Sequence, residues 1–438
     1  MQTSFSPSQL ADPVMASSEA IIRKCVHCGF CTATCPTYVL LGDELDSPRG
    51  RIYLMKEMLE NERRPTAEVV KHIDRCLSCL SCMTTCPSGV NYMHLVDHAR
   101  AYIAENYRRP WQERLMRALL ASVLPYPRRF RLALGLARLA RPLAPLLRAT
   151  AGLRPLSVLL DLAPRSPVRP EPVRSSTPAA PKSRIALLQG CAEPVLKPAI
   201  RAATMRLLNR LGHEVVLAPG EGCCGALVHH LGREAEGLAA ARRNVDAWTA
   251  QIEAGGLSAI VITASGCGTT IKDYGFMLRN DPAYADKAAR VSALAKDVSE
   301  WLAEQEALPP VTQTSRLKVA YQAACSLQHG QKITTAAPNL LRAAGYEVLT
   351  PKEAHLCCGS AGTYNILQPD IAGQLRQRKV ENLERLEPDV IATGNIGCAM
   401  QIGGATRLPV VHVVELIDWA TGGAMPAALE KSTEAHRK

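Results

Sequence analysis

The sequence predicts a multidomain α+β protein in which a helical, metal-binding domain precedes two duplicated α/β lobes. Three observations support this fold class. A length of 438 residues is enough for about two to four domains. Eight of the 16 cysteines form a repeated motif near the N-terminus, and the other eight recur at a nearly constant offset in the C-terminal half. Ordered thiols in such number indicate a metal protein.

The chain divides into five predicted segments, distinguished by cysteine content, charge and proline content. A helical domain with two cysteine blocks is followed by an arginine- and leucine-rich helical segment, and then by a linker with six prolines. The two duplicated lobes form the rest. The predicted boundaries are 1–107, 108–163, 164–184, 185–312 and 313–438.

The N-terminal cysteines carry the strongest signal. Four cysteines at intervals of three, three and four residues, followed by proline, occur twice: Cys25–Pro36 and Cys76–Pro87. In this motif three thiolates hold one [4Fe–4S] cluster and the fourth holds the other cluster. The predicted ligands of the first cluster are Cys25, Cys28, Cys31 and Cys86, and those of the second are Cys76, Cys79, Cys82 and Cys35. Zinc fits less well, because structural zinc sites pair two Cys-x-x-Cys knuckles across a loop.

The segment between the two cysteine blocks indicates a helical type of two-cluster ferredoxin. Forty residues separate Cys35 from Cys76, and Ser47-Pro48 provides a helix start. Two arginines follow that start. Arg49 and Arg51 either lie against the anionic clusters or are solvated at the beginning of a helix.

The C-terminal half contains an internal duplication. Cys191, Cys223 and Cys224 recur 134 residues later as Cys325, Cys357 and Cys358, and Cys267 recurs 131 residues later as Cys398. Short apolar runs ahead of Cys267 and Cys398 predict buried parallel strands, with helices between them. Adjacent cysteines rarely form a disulfide with each other, so a metal centre is favoured. These eight are candidates for further metal or thiol sites, and buried thiols inherited from a metal-binding ancestor are the alternative.

The net charge of +11 is concentrated in one place. Ten arginines and a single acid, Glu113, lie between Arg108 and Arg148, and the rest of the chain is nearly neutral. With aromatic residues at only 4%, this pattern argues against a nucleic-acid-binding surface. Arginines and leucines alternate there at helical spacing. Such helices lie on an anionic membrane surface or pack against protein, and the sequence leaves both possibilities open.

Residue usage predicts a cytoplasmic protein. The first twenty residues contain no basic and apolar leader, and no run of eighteen apolar residues is free of charge. Cysteines in a reducing compartment serve metals or redox chemistry rather than structural disulfides. We therefore expect a cytoplasmic location, peripheral on the cytoplasmic face of the inner membrane if the basic helices bind lipid.

Sequence motifs for chemistry on an organic substrate are missing from the chain. No Gly-x-Gly-x-x-Gly follows a predicted strand, and no nucleophile elbow occurs, so we predict no flavin site and no catalytic residue here. Four histidines lie near the Cys-Cys-Gly segments. Packing and metal or proton roles both remain open for His229, His230, His329 and His355.

Together these motifs resemble a known family. The Cys-Cys-Gly repeats resemble CCG domains, the cysteine-rich modules of the heterodisulfide reductases. Joined to a dicluster ferredoxin, they resemble the iron–sulfur subunits of flavin-linked dehydrogenases, above all those of glycolate dehydrogenase (glycolate oxidase). The resemblance covers nearly the whole chain and is carried by residues 25–38, 42–52, 263–268 and 355–364.

The resemblance implies an electron-transfer subunit. A partner chain would carry FAD and oxidise glycolate to glyoxylate, and this chain would relay electrons through two [4Fe–4S] clusters toward a quinone or another membrane acceptor. Related subunits serve lactate or glycerol 3-phosphate as alternative donors. Heterodisulfide reductase lobes end in Cys-x-x-Cys, whereas Cys267 and Cys398 here have no such partner. This departure leaves open whether the lobes hold additional clusters, and it disfavours a thiol redox enzyme.

Overall fold

The computed structural model describes residues 1–149, 156–157, 159–160, 163, 178–313 and 316–436. The predicted fold class is confirmed: a helical N-terminal region precedes two lobes, each built on a four-stranded parallel sheet. Within these described ranges no helix is long and apolar enough to cross a membrane. The predicted linker lies outside the described residues from 164 to 177.

The N-terminal region is a cluster of short helices around one apolar core. The helix that the sequence places after Ser47 is present: Ser47 Oγ accepts a hydrogen bond from Gly50 N at 3.0 Å, and Pro48 is the first helical residue. Its buried side includes Met55 and Leu59, which pack in the same core as Ile22. The helices of this region are Pro7–Leu10 (α1), Pro13–Lys24 (α2), Pro36–Leu41 (α3), Pro48–Glu60 (α4), Ala67–Asp74 (α5), Ser81–Thr85 (α6) and Tyr92–Asn106 (α7), with 3₁₀ turns at Phe30–Thr32 and Glu44–Asp46.

The arginine- and leucine-rich segment is helical as far as it is described. It forms Trp111–Val123 (α8), Pro127–Ala140 (α9), a 3₁₀ turn at Arg141–Leu143, and Ala144–Ala149 (α10). Helix α8 is tied to the N-terminal region, because Arg109 and Arg117 donate hydrogen bonds to the carboxylate of Asp74.

The first lobe has strand order β2-β1-β3-β4, with every pair parallel. Central strand β3 is wholly buried, as predicted for the apolar run ahead of Cys267. The elements are Arg184–Leu187 (β1), Glu193–Leu196 (α11), Ala199–Arg210 (α12), Glu214–Val216 (β2), Ala226–His230 (α13), Glu234–Gly255 (α14), Ala259–Ile262 (β3), Ser265–Lys272 (α15), Tyr274–Met277 (α16), Ala285–Leu294 (α17), Ala295–Asp297 (β4) and Val298–Ala303 (α18).

The second lobe repeats this topology, with parallel order β6-β5-β7-β8. Its central strand β7 is also buried throughout. The elements are Lys318–Gln322 (β5), a π-helical turn at Ser326–Gly330, Ala336–Ala343 (α19), Glu347–Leu349 (β6), Tyr364–Leu367 (α20), Pro369–Glu384 (α21), Val390–Thr393 (β7), Ile396–Gly403 (α22), Val410–His412 (β8), Val413–Ala420 (α23) and Ala427–His436 (α24).

The two lobes share one apolar core, to which both sheets and the helices between them contribute. At its edge the fully buried carboxylate of Asp418 receives Arg206 at 2.7 Å and Arg210 at 2.6 Å from the other lobe. The imidazole of His412 accepts a hydrogen bond from Val414 N and donates one to the carbonyl of Thr263. Burial lowers the pKa of His412 to about 4, so this bridge between the lobes is neutral.

Candidate iron–sulfur centres

Four of the predicted ligands line one cavity of the N-terminal region. Cys25, Cys28, Cys31 and Cys86 surround it, and Cys82, which the motif assigns to the second cluster, also reaches it. Burial raises the pKa of the Cys25 thiol, and the nearby thiols of Cys86 and Cys28 add to that effect. Holding several thiolates here therefore requires a cation, and four converging thiols suit an iron–sulfur cluster.

The second predicted set is more deeply buried. Burial, together with the charges of Cys79, Cys76 and Cys35, raises the pKa of Cys82 well above its ordinary value. The Arg51 guanidinium approaches Cys35 Sγ to 3.8 Å and also interacts electrostatically with Cys76. The structure therefore places Cys76, Cys79, Cys82 and Cys35 near one another, and Cys31 of the first set also lies near Cys82.

The two cysteine loops share an unusual backbone. Residues two and four positions after the first cysteine have positive φ in both loops: His27 (57°) and Gly29 (86°) in one, Ser78 (50°) and Leu80 (63°) in the other. Alternation of this kind turns backbone N–H groups toward a common point and forms an anion-binding concavity. Ser78 N already donates to Cys76 Sγ at 3.4 Å. The loops therefore fit anionic clusters.

Arg51 is the buried cation of the second set. Its side chain is 1% exposed, and it donates to His72 O at 2.7 Å, Thr37 Oγ1 at 3.0 Å and Asp46 Oδ1 at 3.2 Å. Burial acts to lower its pKa, but attraction to Cys76, Tyr92, Cys35 and Asp46 outweighs burial and raises it. Of the two placements considered for Arg51, the structure shows the one beside the thiols. Arg49 is partly exposed and pairs with Glu44.

Each lobe gathers its four cysteines at the carboxyl ends of three adjacent strands. Ligands of open α/β sheets bind at this edge because the loops there converge. In the second lobe the Sγ atoms of Cys325 and Cys357 are 3.8 Å apart, and contacts continue to Cys358 and Cys398. In the first lobe the corresponding thiols also contact one another: Cys191, Cys223, Cys224 and Cys267.

The glycine after each cysteine pair has a steric role. Gly225 and Gly359 have φ of +85° and +84°, and a Cβ at Gly359 would lie 2.5 Å from the carbonyl oxygen of Ala372. Only glycine allows this close approach at positive φ. The turn aims both thiols of the pair inward: contacts with the thiols of Cys357 and Cys398 lower the pKa of Cys358.

The second lobe is continuous with the second N-terminal set. Cys79 and Cys357 belong to one apolar cluster with Leu77 and Tyr364, and Cys325 packs against it. Burial, followed by the charge of Cys325, raises the pKa of Cys79. Tyr364 also donates to the carbonyl of Arg75, directly before Cys76. The two thiol groups are therefore neighbours across a buried interface.

Sequence reasoning missed a buried lysine beside the second lobe's thiols. Lys379 is 2% exposed, and its Nζ donates to the carbonyl of Glu353 at 2.9 Å. Burial lowers its pKa, while the thiols of Cys358 and Cys357 act in the opposite direction. The duplication offers the signal. Gly225 packs on Gly237 and its counterpart Gly359 packs on Ala372, an offset of 135 residues that places Lys379 opposite the buried Asn244. A lysine in place of a buried, neutral asparagine marks a difference between the lobes.

Three of the four candidate histidines contact the N-terminal region, and His355 offers its backbone carbonyl to one of them within the second lobe. His329 Nδ1 lies 2.8 Å from Thr84 Oγ1, and its Nε2 lies 3.0 Å from the carbonyl oxygen of His355. His230 Nδ1 and His229 Nε2 lie 3.1 Å and 3.6 Å from the carboxylate of Asp97 on α7. The imidazoles therefore join the lobes to the N-terminal region.

The Asp97 contact predicts a pH-dependent stability. Burial opposes charging of both partners, but their mutual attraction lowers the pKa of Asp97 and raises the pKa of His229. Charged His229 contributes fully to the free energy of unfolding below the pKa that it has in the unfolded chain. This contribution is lost as pH rises through the raised pKa of His229 in the folded state. The contribution of the Asp97 carboxylate to the free energy of unfolding is lost only as pH falls through the lowered pKa of Asp97 in the folded state. We expect stability to fall by on the order of 1 kcal/mol as pH rises from below 6.5 through the folded pKa of His229.

Thermal unfolding across this pH range checks the expectation. Asp97→Asn should flatten the decline, because it removes the carboxylate that favours charged His229 most strongly and leaves only the weaker influence of Glu234 and Asp273. Asp281→Asn is the matched control, since Asp281 pairs with an arginine, Arg242, whose charge is constant over this range. Equal pH slopes for wild type and Asp97→Asn would contradict the assignment.

Comparison with known proteins agrees with this architecture. Residues 24–90 match the 4Fe-4S dicluster domain model, and residues 185–272 and 319–403 match the CCG cysteine-rich domain model. The chain is 44% identical over 420 residues to the glycolate oxidase iron-sulfur subunit of Escherichia coli (strain K12), covering 96% of this chain and 99% of the relative.

Two further relatives show how specific this likeness is. Identity to the probable glycolate oxidase iron-sulfur subunit of Bacillus subtilis (strain 168) is 31%, covering 92% of this chain and 95% of the relative. Lactate utilization protein A of Bacillus licheniformis is 27% identical and matches only 54% of this chain. The two relatives that align with both the dicluster region and the two lobes are both named as glycolate oxidase iron-sulfur subunits. The chain belongs to the family of glycolate oxidase iron–sulfur subunits.

Proposed function

We propose that this chain is the electron-transfer subunit of a flavin-linked glycolate dehydrogenase complex, which oxidises glycolate to glyoxylate. The observation that carries the proposal is the pair of converging four-thiol sets in a chain whose full length aligns with glycolate oxidase iron–sulfur subunits. Bound clusters supply one-electron transfer. FAD and the hydroxy-acid chemistry belong to a partner chain, and a quinone or other membrane acceptor receives the electrons.

The proposed ligands are those that the motif predicts. Cys25, Cys28, Cys31 and Cys86 hold the first cluster, and Cys76, Cys79, Cys82 and Cys35 hold the second. The first set is the one nearer the surface: Cys28 is exposed, and its neighbours Val26 and Phe30 are 66% and 65% exposed. Exposed apolar side chains beside an electron-transfer site suit docking of the flavin-bearing partner.

We further propose that the second lobe holds a third cluster and that the first lobe does not. Two observations support this difference. Cys79 and Cys357 belong to one buried cluster against which Cys325 packs, so the second lobe's thiols are neighbours of a proposed ligand of the second cluster. Lys379 supplies a buried positive charge beside four thiolates, whereas the first lobe has the neutral, buried Asn244 at that position.

A thiol-reducing enzyme is a less suitable alternative. A substrate disulfide must reach a thiolate, but both cysteines of each Cys-Cys-Gly turn are buried. Copurification with a flavoprotein, followed by assays with glycolate, lactate and glycerol 3-phosphate, tests the donor. Thiol-dependent turnover by the chain alone would favour the alternative.

Iron and acid-labile sulfide per chain, measured on anaerobically purified protein with EPR of the reduced sample, test the cluster count. We expect about twelve irons, from three clusters of four. Cys358→Ser should lower the count by about four, while Cys224→Ser, its counterpart in the first lobe, should not. About eight irons in the wild type would remove the third cluster and leave the two N-terminal ones.

A further inference from the structure

A buried arginine on α7 holds the loop of the second predicted ligand set. Arg100 is 9% exposed, and it donates hydrogen bonds to the carbonyl of Cys76 and to Ser78 Oγ, both at 2.7 Å. Ser78 is one of the residues whose positive φ shapes this loop. A guanidinium with two donors on one loop fixes the position of that loop and places a positive charge beside it.

Arg100 is also the first member of a row of charges that leads to the first lobe. Its Nη1 lies 3.7 Å from Asp97 Oδ1, one turn earlier on α7. The same carboxylate lies 3.6 Å from His229 Nε2 and 3.1 Å from His230 Nδ1, both on α13 of the first lobe. The cysteine loop, Arg100, Asp97 and the two imidazoles therefore follow one another, with the sign of the charge alternating along the row.

His229 is the member of this row that can gain or lose a proton at a buried atom. The carboxylate beside Nε2 favours the neutral tautomer that carries its proton there. His229 Nδ1 is buried and has no hydrogen-bond partner in the described part of the chain, so it is the atom that gains a proton. Burial opposes the resulting charge, but Asp97, followed by Glu234 and Asp273, outweighs burial and raises the pKa of His229.

Each helix that packs against this row contributes charged groups, apart from α8, which packs against α13 through apolar side chains. Two pairs lie nearby: His94 of α7 with Asp273 at 2.8 Å, and Arg233 with Glu236 at the start of α14. The other facing groups are Glu234 of α14, Arg279 after α16, and Asp74, which Arg109 and Arg117 already hold. Asp97 remains the strongest influence that favours charged His229.

We propose that Arg100 and Asp97 couple reduction of the second cluster to proton uptake at His229 of the first lobe. A reduced cluster carries one more negative charge, which Arg100 stabilises and Asp97 opposes. A proton on His229 compensates Asp97 and so favours reduction. Each electron, which comes from the flavin of the partner chain, is accompanied by up to one proton from solvent, and that proton binds His229 Nδ1. The inference rests on the proposed function, because it requires the second cluster.

Potentiometric titration of the anaerobically purified full-length chain, followed by EPR at a series of pH values, tests the coupling. The signal of the second cluster is the one that Cys79→Ser removes. As pH rises from below 6.5 through the folded pKa of His229, a positive charge is lost from the row, so the potential should fall. Charges some 10 to 15 Å apart shift each other by about one pKa unit at an effective dielectric constant near 20. The ratio of reduced to oxidised cluster should therefore fall about tenfold, or about 59 mV for a one-electron couple.

His229→Gln should remove this pH dependence, because glutamine does not titrate. His213→Gln is the matched control in the same lobe. His213 lies 2.8 Å from Ser183 at the start of the first sheet, and this variant should keep the wild-type slope. Iron content should be unchanged in both variants.

Two charge-removing variants should shift the potential in opposite directions at a pH where His229 is neutral. Arg100→Met should lower it, and Asp97→Asn should raise it. A loop that is merely loosened would not respond with opposite signs to the loss of two neighbouring side chains. Arg184→Met and Asp281→Asn are the matched controls: Arg184 donates to the carbonyl of Gln251, and Asp281 pairs with Arg242. Both should keep the wild-type potential. Arg100→Lys retains the charge if Arg100→Met does not fold, and its potential should stay near that of the wild type.

Two results would overturn the coupling. One is a potential of the second cluster that does not change with pH, or that changes equally in wild type and His229→Gln. The other is a shift of the same sign in Arg100→Met and Asp97→Asn, which would make both residues supports of the loop and nothing more. Either result, obtained with the second EPR signal present, leaves the proposed electron-transfer function intact. A wild-type chain without that signal would overturn the second cluster and the coupling together.

Discussion

Cys79→Ser is expected to abolish electron transfer from donor to acceptor in the assembled complex. Cys79 is a proposed ligand of the second cluster and lies in the apolar cluster that joins the N-terminal region to the second lobe. Loss of an outer-shell partner of a metal ligand typically costs 10- to 100-fold in activity or affinity, so loss of a ligand should cost at least about 100-fold. The measurement is glycolate-dependent reduction of a quinone analogue.

Loss of the second cluster can be distinguished from loss of the fold. EPR of the reduced variant should retain the signal of the first set, whose four cysteines are unchanged. Cys191→Ser makes the same chemical change in the first lobe, where we propose no cluster, and should retain most of the activity. Substantial quinone reduction by Cys79→Ser would show that Cys79 is not part of the electron path.

Arg51→Met should make the second cluster harder to reduce. A reduced cluster carries one more negative charge, and the buried guanidinium that interacts with Cys35 and Cys76 stabilises that charge. A unit charge some 5 to 10 Å from a redox centre contributes about 2 to 3 kcal/mol at an effective dielectric constant near 20. For a one-electron couple this corresponds to a potential lowered by roughly 100 mV.

Potentiometric titration followed by EPR measures this shift. Arg49→Met is the matched control, because Arg49 is partly exposed and pairs with Glu44. Removing Arg51 also takes one cation from the buried Asp46 carboxylate, which should lower the unfolding free energy even though Arg75 and His72 still contact Asp46. Arg51→Lys keeps the charge if Arg51→Met does not fold, and it should retain most of the potential. Equal potentials in wild type and Arg51→Met would contradict the role.

Much of the fold was predictable from local pattern. Ser47-Pro48 begins a helix because a hydroxyl cap and a proline at the first position both satisfy helix-start chemistry. The runs ahead of Cys267 and Cys398 are buried parallel strands because apolar residues without alternation suit a sheet covered on both faces. The equal spacing of the repeats anticipated the identical strand orders of the two lobes.

The grouping of thiols was also predictable, because ligand spacing along the chain is a covalent property. The motif predicts that three thiols on one loop and a fourth from the other loop hold each cluster, and the structure places the thiols of each predicted set near one another. Which thiols hold which cluster stays a prediction. Which set of thiols each arginine near the helix start adjoins was not predictable: Arg51 lies beside the second set, and Arg49 lines the cavity of the first. That choice depends on which side of α4 faces the core, and Arg51 lies on the buried side.

Contacts between distant parts of the chain were decided by the tertiary structure alone. Nothing in the local sequence indicates that Cys79 adjoins Cys325, that Asp97 pairs with His229, or that Lys379 lies beside the second lobe's thiols. Such pairs follow from how separately folded surfaces dock, which is governed by shape and burial rather than by spacing. By itself the sequence determined the cysteine chemistry, the duplication and the concentration of positive charge in one segment. Only the packing of the domains decided which of two similar lobes adjoins the second cluster site.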